Sequence, residues 1–295
     1  MELCKIQSKG VAGDLVFYDS SGNAIAYLDD SARSLVIPAG GKLLCEDGTA
    51  AGAGLSPLIW SDCPRLQMLV DPTLGMFVGD DFQKVQATGF PYTLYTDTTD
   101  TFTSLAGQIG GVGRLALSGT DNDEEYIVYN QAAGIIKADA THNWWFEAKL
   151  KPSQVAAEHG IFIGLAEEAA VGADLMNTND MVLKVIDALG FQIISAAGGA
   201  ACAVIQTIHQ LQGGARVAVD ATAGTATAAF IKFGMKSILG TVTFYLDGVA
   251  LDTTVTTAAT NFPLDQIMCP TFGVKIGSAA AENLDIDWWY AAQLR

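Results

Sequence analysis

The residues best placed to do chemistry form the acidic stretch TDNDEEY, residues 120–126. Asp121, Asp123 and Glu125 alternate along it, so an extended chain carries their three carboxylates on one side. Oxygen ligands spaced in this way suit calcium. The stretch follows LSGT, which is typical of a turn, so a solvated acidic turn is the other interpretation. The sequence leaves both open, and calcium is the only cofactor that it suggests.

Two further pairs of side chains are candidates for a working surface. Asp285 and Asp287 share one face of the segment DIDWW. Paired carboxylates can serve as acid and base, but we expect outward charges on an edge strand, where they hinder aggregation. Alternation also predicts that Trp145 and Trp289 point outward. An outward indole can stack on a sugar or become buried in a subunit interface, and the interface is favoured because only 16% of the residues are charged.

The sequence lacks the residue patterns that other kinds of functional site require. His142, His159 and His209 lie on separate segments without metal-ligand spacing. The five cysteines contain no Cys-x-x-Cys pair, which predicts reduced and mostly buried thiols. No Gly-x-Ser-x-Gly elbow and no phosphate-binding Gly-x-x-x-x-Gly-Lys-Ser/Thr loop occurs. The formal net charge of −16 argues against direct binding of nucleic acid, and no run approaches the roughly 18 apolar residues of a membrane helix.

Strands must position the candidate side chains. NWWFEAKLK places Trp144, Phe146 and Leu150 on one face, and the same alternation recurs in IFIGLAEE, AAFIKFGMK and TVTFYLDG. Many short strands separated by Gly-rich turns predict an all-β sandwich. We place this sandwich at residues 79–295, and a β-rich N-terminal arm or small partner-binding domain at residues 1–78.

Two local patterns complete the prediction of elements. LVFYD, SSGN and AIAYLD follow one another and predict a β-hairpin, since Gly and Asn can take the positive φ of a tight turn. Helical periodicity is confined to short pieces such as PSQVAAEHG and DLMNTNDMVLKVID. Helices are therefore expected to be few and short.

The strand segments follow one another in a familiar order. They are DDF, WWFEAKLKPS, GIFIGLAE, FIKFGMK, VTFYLDGV, NFPLDQIMCPTFGVKIG and the terminal LDIDWWYAAQL. This ordered set resembles the concanavalin A-like (laminin G/lectin-like) jelly roll, over about residues 79–295. In that fold the first and last strands of the domain are neighbours. The resemblance therefore implies that the strand of Trp288 and Tyr290 pairs beside GDDFQKV.

A finer resemblance concerns the role of the chain. GDLVFYDSSGNAIAYLDDSARSLVIPAGGKL, ahead of such a jelly roll, is similar to the N-terminal segment of tailed-bacteriophage virion proteins of the capsid decoration or cement type. The resemblance implies a non-enzymatic structural protein at the capsid surface of the virion, assembled in the host cytoplasm. It implies the major capsid protein and copies of the chain itself as partners, with a homotrimer expected, and neither nucleic acid nor membrane.

Two other functions share this fold. A lectin-like, carbohydrate-binding module on a tail or head fibre would attach to host glycans. Laminarinase-like glycoside hydrolases carry a Glu-x-Asp-x-x-Glu or Glu-x-Asp-x-Glu strand, whose two glutamates act as nucleophile and general acid. Here Asp121 stands where the first Glu is required, and Asn122 and Glu124 are polar where that strand needs apolar residues. A hydrolase is the least expected of the three functions.

Overall fold

The structure of the protein is a computed structural model. The chain forms two compact units, Met1–Gly54 and Leu55–Arg295. Each unit is considered by itself. The described residues are 6–9, 14–18, 24–29, 34–36, 54–84, 91–97, 100–108, 110–129, 134–156, 158–167, 174–178, 181–195, 202–277 and 281–295.

The N-terminal unit contains an antiparallel sheet of four strands in the order β1-β2-β3-β4. The strands are β1 (Ile6–Lys9), β2 (Asp14–Tyr18), β3 (Ala24–Asp29) and β4 (Ser34–Val36). β2 and β3 pair with Leu15 opposite Leu28, which confirms the predicted hairpin.

The described residues of the second unit form two short helices and sixteen strands. The helices are α1 (Pro57–Trp60) and α2 (Arg65–Val70); no helix in the described part of the chain is long and apolar enough to cross a membrane. The strands are β5 (Gly75–Asp80), β6 (Tyr92–Thr96), β7 (Thr101–Ser104), β8 (Gly113–Ala116), β9 (Glu124–Tyr129), β10 (Ile136–Lys137), β11 (Trp144–Pro152), β12 (His159–Glu167), β13 (Ala188–Ser195), β14 (Cys202–Gln210), β15 (Val217–Thr225), β16 (Ile231–Ile238), β17 (Thr241–Leu246), β18 (Val249–Thr256), β19 (Ile267–Ile276) and β20 (Asn283–Leu294).

Two antiparallel sheets form a β-sandwich. Sheet I has the order β18-β17-β16-β11-β20-β8-β7, and β5 also pairs with β20. Sheet II has the order β15-β14-β13-β12-β19-β9-β6, and β10 pairs with β19. Strands far apart in sequence, such as β11 and β20, are neighbours in space, as a jelly roll requires. The predicted all-β jelly-roll sandwich is confirmed.

The last strand of the chain is held on both of its edges. β20 pairs antiparallel with β5, with Tyr290 opposite Gly79, so the predicted pairing of the first and last strands is confirmed. β8 continues along the same edge, and β11 pairs with the other edge. Since strands flank both edges, the prediction that Asp285 and Asp287 lie on an edge strand is wrong.

The core lies between the two sheets. Trp144, Phe146 and Leu150 of β11 are fully buried there, as the alternation predicted. Ile161 and Ile163 of β12 belong to the same apolar cluster from the opposite sheet. Burial of each such side chain stabilises the fold by about 1.5–3 kcal/mol, so this interior supplies the main driving force for the sandwich.

A β-bulge in β20 changes which side chains face the core. The pairing with β11 shifts at Asp287, which is the extra residue. An extra residue reverses the alternation beyond it. Ile286 faces the core before the bulge, and Trp289 faces it afterwards. The prediction that Trp289 faces outward is therefore wrong.

The segment that contains α1 and α2 lies on the outer face of sheet I. Ile59 and Trp60 of α1 and Met68 of α2 pack with Trp145 in one apolar cluster. This segment therefore belongs to the sandwich unit, and the structure draws the unit boundary ahead of it, whereas the sequence placed the boundary after residue 78. Its few buried side chains are spaced irregularly, so the sequence gives no pattern that predicts this packing.

A second segment lies on the outer face of sheet II. Met176 and Leu183, which form an isolated β-bridge, pack with Phe162 of β12 in an apolar cluster. The described residues of this segment, 174–178 and 181–187, form no helix, so the helical piece expected at DLMNTNDMVLKVID is wrong. β12 is buried on both faces because one face meets the core and the other meets this segment.

The described cysteines are thiols. Cys63, Cys202 and Cys269 are free and buried, and burial raises the pKa of Cys63 to about 12 and that of Cys202 further. The predicted reduced, buried state is confirmed for these three. Cys4 and Cys45 lie outside the described residues.

Candidate functional site

Strand β9 carries the end of the acidic stretch into the sandwich. It begins at Glu124 and pairs with β19 and β6, so the end of TDNDEEY is strand. Asp121 is exposed, whereas Asp123 and Glu125 are buried. The interpretation as a solvated turn therefore holds for Asp121 alone. Within the described residues, these three side chains do not form a group close enough to share one metal ion.

Glu124 instead meets two acids from distant parts of the chain. Asp97, Glu124 and Asp174 each offer a carboxylate oxygen, and these oxygens lie within 4.8 Å of one another. Asp97 follows β6, and Asp174 begins the segment on the outer face of sheet II. Carboxylate oxygens are the ligands that calcium prefers, so this acidic cluster could hold such an ion.

Lys275 of β19 already brings a positive charge into the acidic cluster. Its Nζ lies 3.0 Å from Oε2 of Glu124 and 3.4 Å from Oδ2 of Asp174, and Lys275 and Glu124 are each 1% exposed. The other oxygen of Glu124, Oε1, accepts the backbone N–H groups of Leu175 and Met176, both at 3.0 Å. A metal ion would therefore have to displace the Lys275 ammonium.

The local charges separate the pKa values of the carboxyl groups in the acidic cluster. Burial, followed by the charge of Asp174, raises the pKa of Asp97. Burial alone would also raise the pKa of Asp174, but the hydrogen bond from Lys184 and the charge of Lys275 outweigh it and lower that pKa. Burial raises the pKa of Glu124 to about 7 against the opposing charge of Lys275. Asp97 therefore holds a proton more readily than Asp174.

Glu125 lies on the opposite face of β9 and points into the sandwich. Burial, followed by the negative charge of Asp100, raises its pKa to about 8. Asp100 accepts the backbone N–H of Ser118 at 2.7 Å, and Asp123 accepts its hydroxyl at 2.7 Å. Asp100 and Asp123 thus meet at one serine, and Glu125, whose pKa their charges help to raise, keeps its proton at neutral pH.

The titration of Glu125 predicts a pH-dependent stability. The folded carboxyl keeps its proton up to about pH 8, whereas the unfolded one loses it near pH 4.5. The folded state therefore binds more protons between these values, and the free energy of unfolding falls as the pH rises through this window. We expect Glu125 to contribute about 2–4 kcal/mol to this fall in urea titrations. The slope should therefore be shallower in Glu125→Gln, where the raised pKa of Glu124 still contributes up to about pH 7. Equal slopes for both proteins would contradict this assignment.

The outward face of β11 is covered by the segment that contains α1 and α2. Trp145 is 1% exposed, and its Nε1 donates to Oδ1 of Asp62 at 2.8 Å. Glu147 is also buried; it accepts the Trp60 Nε1–H at 2.8 Å and the Ser56 N–H at 2.9 Å. The surface at which the sequence predicted contact with a sugar or a partner is therefore covered by another segment of the same chain.

Trp289 is not available at a surface either. Its side chain is fully buried, and its Nε1 donates to the Tyr92 hydroxyl at 2.8 Å. Its ring lies 4.7 Å from that of Tyr129. The predicted outward position of Trp289 is therefore wrong because of the bulge. Trp145 does lie on the outer face of sheet I, but the segment that contains α1 and α2 buries it there.

The two aspartates of DIDWW are neutralised by basic side chains. Asp285 accepts two hydrogen bonds from Arg114, at 2.6 and 2.9 Å, and Lys151 lies 3.5 Å away. Asp287 pairs with Lys149 at 2.7 Å. Both carboxylates are thus engaged in ion pairs with the chain's own basic side chains.

Helix α2 turns an apolar face to solvent. Leu66, Leu69 and Val70 follow the i, i+3, i+4 spacing of one helix face and are 79%, 63% and 86% exposed. Met68 packs on the sandwich from the other side of the helix. Leu66 and Val70 help Leu74 to line an open hollow of about 490 Å³. We call the three exposed side chains the α2 apolar face.

Comparison with known proteins places the chain in a fold class. No protein-family model and no curated protein matches it. A mixed-linkage-glucan GH16 protein of Bacteroides ovatus, in complex with the product G4G4G3G, is 12% identical with a TM-score of 0.50, over 72% of this chain and 98% of that one. The carbohydrate recognition domain of Emp47p is 12% identical (TM-score 0.49, 75% and 97% covered), and peanut lectin is 12% identical (TM-score 0.48, 75% and 99%). At these identities the likeness concerns the concanavalin A-like jelly-roll fold alone.

Two features of the structure were not predicted from the sequence. Asp97, Asp174 and Lys275 lie far apart along the chain, and no local pattern links them to Glu124. The α2 apolar face does have a local signal, because RLQMLV carries apolar residues at helical spacing. The helix was not predicted because this short pattern lies in a segment with three prolines and little periodicity.

Proposed function

We propose that the chain is a non-enzymatic structural protein of an assembly, and that this assembly is the virion of a tailed bacteriophage whose capsid it decorates or cements. The observation that carries the proposal is the α2 apolar face. Contiguous apolar side chains at the surface of a soluble protein mark sites of protein–protein contact. A rigid sandwich that presents such a face is suited to holding neighbouring subunits together.

The arrangement of carboxylates supports a role without catalysis. A glycoside hydrolase needs two acids that face a substrate across about 5–9 Å. Glu124 is bound to Lys275 and to two backbone N–H groups, Glu147 to Ser56 and Trp60. Each of these buried carboxylates is held by the chain's own donors, and segments of the chain lie over both outer sheet faces.

The proposed partners are the major capsid protein and further copies of this chain. Multiple contacts across a shell raise the effective concentration at each site. A net charge of −16 favours a partner surface with excess basic residues, because opposite charges speed association. Neither nucleic acid nor membrane is needed in this role, which takes place at the capsid surface.

Carbohydrate binding is a second candidate, favoured by one aromatic pair. Phe77 and Tyr290 are partly exposed on sheet I, and their rings stack with centroids 5.6 Å apart. Aromatic faces of this kind can stack on sugars. Binding on a glycan array that is lost in Tyr290→Ala would favour this candidate over a structural role.

Substitution of the α2 apolar face tests the proposed role. We expect Leu66→Asp to lower binding of the purified chain to virions depleted of it by roughly 100-fold, because a charge would be buried in the contact. Val185→Asp is the matched control, since Val185 is 57% exposed in the segment over the other sheet. Binding would be followed by co-sedimentation and quantitative mass spectrometry. Equal binding of both variants, or no binding of the unmodified chain, would overturn the proposal.

A further inference from the structure

We propose that the α2 apolar face binds the same face of a second copy of this chain, with the two α2 helices antiparallel about a two-fold axis. This inference rests on the proposed structural role and names the partner at that surface. The contact it defines is isologous, in which one patch meets itself. Its smallest closed product is a dimer, in place of the trimer expected from the sequence.

The charges at the two ends of α2 carry the argument. Arg65 is the first residue of the helix, and Asp71 is the residue just after it. Arg65 is partly exposed and Asp71 is exposed, and the α2 apolar face lies between them in the chain. In an antiparallel pair, Arg65 of each copy lies beside Asp71 of the other. Two symmetry-related Arg65–Asp71 ion pairs, one at each end of the contact, then flank the apolar side chains.

These charges are placed unfavourably for the helix itself. The positive end of the helix dipole is at the N-terminus, where acidic residues stabilise, and basic residues stabilise the C-terminus. The first turn of α2 has no acidic residue and the last turn has no basic one. Arg65 and Asp71 thus stand at the opposite ends from those that would stabilise an isolated helix. In an antiparallel pair of α2 helices, each of these two charges lies beside the opposite charge of the second copy, so both interactions become attractive.

The apolar side chains fit the same two-fold arrangement. If Arg65 meets Asp71, the numbering places Leu66 opposite Val70 in the second copy. These are the two most exposed large apolar side chains of the helix, at 79% and 86%. Both also border the open hollow, which leaves room for the second helix to approach. The contact would therefore remove the most exposed part of the α2 apolar face from water.

Charge reversal tests this geometry in the full-length chain. We expect sedimentation equilibrium to show a dimer, and Arg65→Asp or Asp71→Arg to raise its dissociation constant by about 10-fold or more, since each variant places like charges together at both ends. The double variant Arg65→Asp/Asp71→Arg should restore the dimer. An equimolar mixture of the two single variants should also dimerise, because every end then meets an opposite charge. Native mass spectrometry would identify the mixed dimer.

Rescue separates the proposed contact from effects within one chain. Arg65 also lies 5.9 Å from the Trp60 ring, and Asp71 accepts hydrogen bonds from Thr73; mixing two variants repairs neither contact. A monomer at all concentrations, or an oligomer that is insensitive to these charges and to Leu66→Asp, would overturn the inference. If the chain is a monomer that still needs Leu66 to bind virions, the dimer inference fails and the proposed function stands. If the chain is a dimer that is absent from virions, the proposed function fails and the dimer inference stands.

Discussion

Replacing Glu147 with alanine is expected to lower the free energy of unfolding by about 3–5 kcal/mol. The fully buried carboxylate accepts the N–H and hydroxyl of Ser56 and the indole N–H of Trp60. Truncation leaves these three donors buried without their acceptor. Because Ser56 and Trp60 belong to the segment over sheet I, the loss should also loosen that segment from the sandwich.

Urea unfolding measures the first effect, and trypsin measures the second. Cleavage after Arg65 in α2 should become much faster in Glu147→Ala than in the unmodified chain, at urea concentrations where both sandwiches remain folded. Asp252→Ala, at an exposed position of β18, serves as the control and should change stability by less than about 0.5 kcal/mol. A loss below about 1 kcal/mol for Glu147→Ala would show that the carboxylate does not hold the segment.

Replacing Lys275 with methionine is expected to cost about 3–5 kcal/mol at pH 8. The substitution keeps the apolar length of the side chain but removes the cation that faces Glu124 and Asp174. Glu124 is then a buried acid beside two others, and its pKa should rise above its present value of about 7. Below that pH the protonated carboxyl is tolerated better, so the loss should shrink as the solution is acidified.

Lys184→Met is the matched control for this substitution. Lys184 also pairs with Asp174, at 3.1 Å, but its side chain is 37% exposed. An exposed ion pair contributes about 0–1 kcal/mol, so this variant should unfold almost as the unmodified chain does. Similar losses in the two lysine variants would contradict the special role given to the buried ammonium.

The same substitution predicts a response to calcium. In Lys275→Met the acidic cluster keeps three carboxylates within reach of one ion and loses the competing positive charge. Calcium at about 5 mM should then raise the Tm by several degrees, because binding to the folded state alone stabilises it. The unmodified chain should respond much less. Equal responses would mean that the ammonium and the metal do not compete for the site.

The sequence predicted the layers of the sandwich because strand alternation reports burial directly. The side chains of β11 that face the core follow strict alternation. The pairing of the last strand with β5 was instead implied by the resemblance to the jelly roll. The alternation rule failed after Asp287, because one extra residue in a strand leaves no mark in the sequence. Trp145 and Glu147 alternate as outward residues and are buried only because another segment folds over them.

The acidic cluster shows why sites are harder to predict than strands. Glu124 and Glu125 are neighbours in sequence, but strand geometry sends them to opposite faces of sheet II. Their partners come from other strands and from a segment without regular structure, so they become neighbours only when the fold is complete. The pattern of Asp121, Asp123 and Glu125 left open a solvated turn and a shared calcium site, whereas the structure buries two of these carboxylates and leaves Asp121 exposed.

The most direct test of the proposed structural role is electron cryo-microscopy of virions assembled with this chain. We expect repeated density for the jelly-roll sandwich on the outer surface of the head shell, with the α2 apolar face buried in a contact between subunits. Density confined to the tail tip, or an α2 apolar face open to solvent in every copy, would contradict that role.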